Sequence, residues 1–207
     1  MALNTYDNLN DMQMDVLREI GNIGSGNAAS SLASMLTSPV NISVPKVSIL
    51  DYSEVVDQLG GPETMIVGLL LALDGDVNGM IMFLLHQNFA HMTLNALLGE
   101  DIKSFEDIDE MGYSALQEVA NIMAASYINA ISTMTDLSIN ISVPAMSIDM
   151  LGAILSVPSI HYANISDKII FIEDEFTGQD LHAPSHILLI PDVDSLGKIM
   201  TNLGIEI

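Results

Sequence analysis

Apolar positions recur along this chain at two spacings, and the switches between them mark out the elements. Across 9–36, Met12, Val16, Ile20 and Ile23 fall at helical spacing, and the same spacing returns across 105–132. Each predicted helix runs into a stretch, 40–50 and 139–150, where β-branched residues alternate with small or polar ones, as in a strand. Two more strands are predicted near 65–73 and 79–85, then a helix over about 88–98 that stops at Gly99. The second half ends the same way, with strands near 167–176 and 185–190 and a helix over about 193–203 that stops at Gly204. Ser104 and Asp107 have capping-box spacing at the start of the second long helix. Residues 151–163 read as an extra, less regular piece.

The resemblance between the halves extends to residue identity. NISVP occupies 41–45 and again 140–144, an offset of 99 residues. In that register REIGNI at 18–23 lies over QEVANI at 117–122, so Glu19 matches Glu118, Asn22 matches Asn121 and Ile23 matches Ile122. The register runs without a gap from about residue 15 to 49. A duplication is the simplest source of such a match. Strands joined by short turns pair antiparallel. The expected fold is therefore α+β: a pseudo-twofold internal duplication in which one antiparallel β-sheet carries packed helices. Residues 1–207 are expected to form a single domain of two repeats, about 9–99 and 105–204, because 99–104 is too short for a flexible linker.

Composition narrows what such a domain can do. Half the residues, 49%, are apolar, and a mean hydropathy of +0.41 is incompatible with a disordered chain. The longest apolar run, 65–73, ends at Asp74, far short of the ~20 residues that span a bilayer. Acidic residues stand at the N-terminus where a secretory signal carries lysines, and cysteine is absent, so a cytoplasmic protein is expected. Five Lys and Arg against 27 Asp and Glu give a net charge of −22. Such a surface repels phosphate backbones and anionic lipids, which argues against nucleic-acid binding and membrane insertion. A phosphorylated substrate would have to be met through local geometry.

Candidate chemistry sits on the two long helices. Asp15, Glu19 and Asn22 fall at i, i+4 and i+7 and share one stripe, and Ser114, Glu118 and Asn121 repeat it. Val16, Ile20 and Ile23, like Ala115, Val119 and Ile122, lie on another face suited to the core, so the motif helices are expected to be exposed along the Glu–Asn stripe. Asparagine is a poor residue for a helix interior, and its retention in both copies calls for a reason. One bland reason is an amide bonded across to a neighbouring helix. Gly21, Gly24 and Gly26 hint at a phosphate loop, but the aligned residues Ala120, Met123 and Ala125 are helix formers, and no Gly-Lys-Ser/Thr follows. Close packing, or close approach of a partner, explains the small residues better. His86, His91, His161, His182 and His186 make no metal template and read as surface or packing residues.

The pattern Asp/Ser-x3-Glu-x2-Asn-x22-Pro is met by Asp15, Glu19, Asn22 and Pro45 and again by Ser114, Glu118, Asn121 and Pro144. It resembles the signature of the CheC family of chemotaxis phosphatases, and the resemblance covers nearly the whole chain. It implies hydrolysis of the aspartyl phosphate of CheY, the chemotaxis response regulator, with Asn22 and Asn121 positioning the attacking water and Glu19 and Glu118 fixing the docking. It also implies CheD, a deamidase, as regulatory partner. The Mg²⁺ belongs to the CheY substrate, and no cofactor or metal bound by this chain is expected. A motor-switch component of the FliY type is not expected, since neither a docking peptide nor a switch domain is visible. The rival reading is a non-enzymatic adaptor, or a CheD-binding regulatory module of the same fold, as the FliM middle domain illustrates. The Glu–Asn pairs separate the two, because a pure adaptor has no use for them.

Overall fold

A computed structural model describes residues 6, 9–99, 101–162, 168–178 and 182–205. The first repeat comprises α1 (Asp11–Leu36), β1 (Val40–Ile42), β2 (Lys46–Asp51), α2 (Tyr52–Gln58), β3 (Met65–Gly75), β4 (Gly79–Leu85) and α3 (Gln87–Leu98). The second comprises α4 (Glu110–Thr135), β5 (Ile139–Ile141), β6 (Ala145–Met150), α5 (Leu151–Tyr162), β7 (Lys168–Gly178), β8 (His182–Pro191) and α6 (Val193–Asn202). Residues 151–162 are thus a helix, and α2 is its counterpart at the same offset of 99. The piece that looked extra belongs to both repeats. Its period was hard to read because α5 is apolar on most sides and carries Pro158 inside it.

All strand pairs are antiparallel and form one sheet in the order β1–β7–β8–β4–β3–β5, with β2 continuing β1 along β7 and β6 continuing β5 along β3. Each repeat therefore lends its first two strands to the other. The approximate twofold passes between β4 and β8. In β4, Ile81, Phe83 and Leu85 face the long helices, whereas Met80, Met82 and Leu84 face a second cluster under α2 and α5. Burial on both faces explains the unbroken apolar run.

Two sequence expectations shift. The Ser104–Asp107 capping box exists, but it closes one 3₁₀ turn, Phe105–Asp107. Helix α4 starts afresh at Glu110, capped by Asp109, which accepts from the Gly112 amide at 2.9 Å. On α1 the buried face is Leu17, Ile20, Gly21, Gly24 and Ala28, while Val16 and Ile23 are only half-buried and Met12 is exposed. The glycines fit close packing as read. A β-carbon on Gly24 would stand 2.4 Å from the Tyr127 ring, so α1 and α4 cross with almost no space between them. Among the histidines, His186 packs edge-on to His86 and stacks on Phe171.

Candidate functional site

Each long helix is anchored at the end that carries the motif. Asn10 caps α1 through a reciprocal box with Gln13, at 3.0 and 2.8 Å, and Asp109 does the same work for α4. At the other end, Thr37 (φ 49°) and Asp136 (φ 60°) terminate the helices in the left-handed region at equivalent positions. The helices are therefore in identical register, and so are their outer stripes. Glu19, Asn22, Asp15, Glu118 and Ser114 are exposed, and Asn121 is half-buried at the floor of a groove. Among the described residues, none of the two Glu and two Asn side chains is held by a hydrogen bond from a neighbouring helix. Asn22 is exposed and Asn121 lines an open groove, so neither amide is engaged in bonding to a neighbouring helix.

The prolines of the motif act from the neighbouring strand. Between β1 and β2, residues 43–45 stand opposite only two residues of β7, since Ile42 pairs with Phe176 and Lys46 with Glu173. Between β5 and β6, residues 142–144 stand opposite two residues of β3, since Ile141 pairs with Leu73 and Ala145 with Leu70. Both NISVP copies are β-bulges, which re-aim side chains. Each bulge is tied at its base: Ser43 N–H donates to Glu175 O at 3.1 Å and Ser142 N–H to Ala72 O at 2.9 Å. Pro144 is buried and Pro45 half-buried against the motif helices, and a β-carbon on Gly21 would stand 3.7 Å from Pro45 Cγ. In the second copy Gln117 Nε2 donates to Pro144 O at 3.1 Å. In the first, the equivalent residue is Arg18, which instead pairs with Asp15 at 2.6 Å.

The result at the second copy is a groove of about 500 Å³ walled by Ser114, Gln117, Glu118, Asn121, Val143 and Pro144. The exposed Glu118 carboxylate and the half-buried Asn121 amide stand one helical turn apart in this groove. Behind the first copy lies a polar element that sequence reasoning missed. Asp174, 2% exposed, accepts from Ser25 Oγ at 2.7 Å and from the Tyr127 hydroxyl. Burial raises its carboxyl to about 6 even though both donors oppose the shift, and burial beside Asp174 also raises the Tyr127 hydroxyl.

A duplicated α+β fold bearing two outward Glu–Asn helix faces defines a class to which known proteins can be compared. The CheC-like family model matches residues 12–49 and 111–148, the two motif helices with their bulged strands. The chain is 33% identical over 208 residues to the CheY-P phosphatase CheC of Bacillus subtilis strain 168, covering 98% of this chain and 99% of that protein. It is 29% identical over 143 residues to the flagellar motor switch phosphatase FliY of the same strain, covering 69% of this chain and 37% of that one. The crystal structure of Thermotoga maritima FliY shares the fold at a TM-score of 0.76 and 22% identity, covering 95% of this chain and 98% of that one. The H. pylori FliM middle domain shares it at 0.68 and 15%, covering 94% and 99%. This chain belongs to the CheC-like family.

Proposed function

We propose that this protein is a phosphatase that hydrolyses the aspartyl phosphate of CheY, using both Glu–Asn faces. The observation that carries the reading is the outward Glu–Asn pair, present twice in identical register on capped helices, together with near full-length similarity to a protein named as a CheY-P phosphatase. The phosphorylated regulator brings its own Mg²⁺, Lys and phospho-aspartate, so an in-line water is what it lacks. Water attacks phosphorus, the phosphorus–carboxylate bond breaks, and the aspartate leaves as a carboxylate while inorganic phosphate forms. Such reactions leave a protein mainly positioning and electrostatics. The carbonyl oxygen of the Asn22 or Asn121 amide accepts a hydrogen bond from the water while its NH₂ donates one toward a phosphoryl oxygen, where a carboxylate would repel it. Glu19 or Glu118, one turn away, pairs with the regulator's Lys and fixes the docking.

Decay of Mg²⁺-loaded phospho-CheY tests this directly. The protein should accelerate it and leave a phosphoserine peptide untouched. Asn22→Ala with Asn121→Ala should abolish the acceleration, a loss of about 10²-fold in turnover or more, with each single variant keeping the other site's share. Glu19→Ala and Glu118→Ala should weaken binding as well as turnover. A folded double asparagine variant with wild-type activity would refute the assignment. CheD is proposed as a regulatory partner on the family resemblance alone, and co-sedimentation with purified CheD checks it.

A further inference from the structure

Exposed apolar side chains border the polar stripes that carry Asn22 and Asn121. Val44 and Val143, the central residues of the two bulges, are 85% and 84% exposed. Met12 and Met111 are 61% and 62% exposed. These four are two equivalent pairs, related by the same offset of 99 as the motif. Each Met stands seven residues before its motif Glu, so it opens the stripe that continues through Asp15 or Ser114 to the Asn. Each Val is lifted by its bulge beside the same stripe, and Val143 lines the groove that holds Glu118 and Asn121. Single exposed apolar residues need no explanation. Two matched pairs, each bracketing a Glu–Asn pair, do.

We propose that Met12 with Val44, and Met111 with Val143, are the docking anchors of the two sites, packing against the response regulator at the margin of its phosphorylated aspartate. The inference rests on the phosphatase reading and says how the substrate is held. A net charge of −22 supplies no attraction toward a phosphorylated partner, so affinity has to come from short-range contacts. Valine, with a single side-chain torsion, gives such contacts at little entropic cost, and the flexible, polarisable methionine thioether adapts to an irregular partner surface. The bulges are what make the arrangement rigid. With the NISVP backbone tied to the sheet and Pro144 seated under Gln117, Val143 cannot retreat from the groove. Anchors of this kind act equally on ground and transition states, so they should govern KM and leave kcat alone.

The test is a Met12→Gln, Val44→Thr, Met111→Gln, Val143→Thr variant, folded by circular dichroism and denaturation because all four positions are exposed. Its affinity for Mg²⁺- and beryllofluoride-loaded CheY, a mimic of the acyl phosphate that does not turn over, should fall about tenfold or more. KM for phospho-CheY should rise by the same factor, with kcat within twofold of wild type. Asn22→Ala with Asn121→Ala should show the reverse, so the two readings fail separately. Unchanged affinity for the beryllofluoride complex would overturn the anchors, whatever happens to turnover. So would sedimentation showing that the wild type is a dimer and the variant a monomer with unchanged CheY binding, because the patch would then join two copies of this chain.

Discussion

Single residues make the two sites inequivalent. Asp174 meets Ser25 and Tyr127, but the repeat-related positions of those partners are Ala124 and Ala28, so the buried network exists on one side only. Asp174 is buried and its carboxyl is raised to about 6, against about 3.9 in an unfolded chain, so the folded state holds the proton more tightly. The stabilisation from this group is complete below about pH 4 and is lost as pH rises through about 6. Asp174→Asn keeps a neutral acceptor for Tyr127 or Ser25 and removes the titration. Between pH 4 and 7 its unfolding free energy should therefore gain on wild type by up to about 3 kcal/mol, as two pKa units imply. Urea denaturation at pH 4, 5, 6 and 7 reads this, and the remaining carboxylates cancel in the difference. A gap that stays constant with pH would mean that Asp174 does not titrate in this range.

At the scale of elements, the glycines of α1 divide into two kinds. Gly24 is pressed against the Tyr127 ring with no room for a β-carbon, whereas Gly26 has nothing within 4 Å and its counterpart in the second copy is Ala125. Gly24→Ala should destabilise by about 1–3 kcal/mol through overpacking, while Gly26→Ala should stabilise by about 0.5–1 kcal/mol through helix propensity. Thermal denaturation of both variants checks the sign of each. The motif helices, their register and their stripe were legible because a duplicated chain shows each constraint twice. The alignment of Gly24 with the helix former Met123 is by itself incompatible with a phosphate loop. Other features were hidden for identifiable reasons. A capping box can close a 3₁₀ turn instead of a long helix, as Ser104 and Asp107 do. The seven residues of α2 are too few to declare a period. The bulges counted as continuous strand because one surplus residue appears only once the partner strand is known. Asp174 looks like any solvated acid in a strand until Ser25 and Tyr127 are brought to it across 149 and 47 residues.

The whole molecule is two repeats that cannot be exchanged for one another. Across the twofold, the contact of Gly24 with Tyr127 is equivalent to a pairing of Ala28 with Met123, and all four residues are buried. Both small residues are on α1 and both large ones on α4, so the crossing is a match of hollow with knob made twice in the same sense. The sheet adds a second dependence, since among the described residues β1 and β2 pair only with β7, and β5 and β6 only with β3. A first repeat paired with itself would bring Gly24 against Ala28 and leave a void, which costs on the order of 1 kcal/mol per missing methylene. A second repeat paired with itself would force Met123 against Tyr127 and overpack the crossing. Residues 1–99 and 101–207, produced as separate chains, should therefore each fail to unfold cooperatively, yet combine one to one and regain a single transition. Sedimentation of the mixture and of each half measures this. Stable homodimers of either half, equal in stability to the mixed complex, would show that the small-to-large pairing along α1 and α4 does not direct assembly.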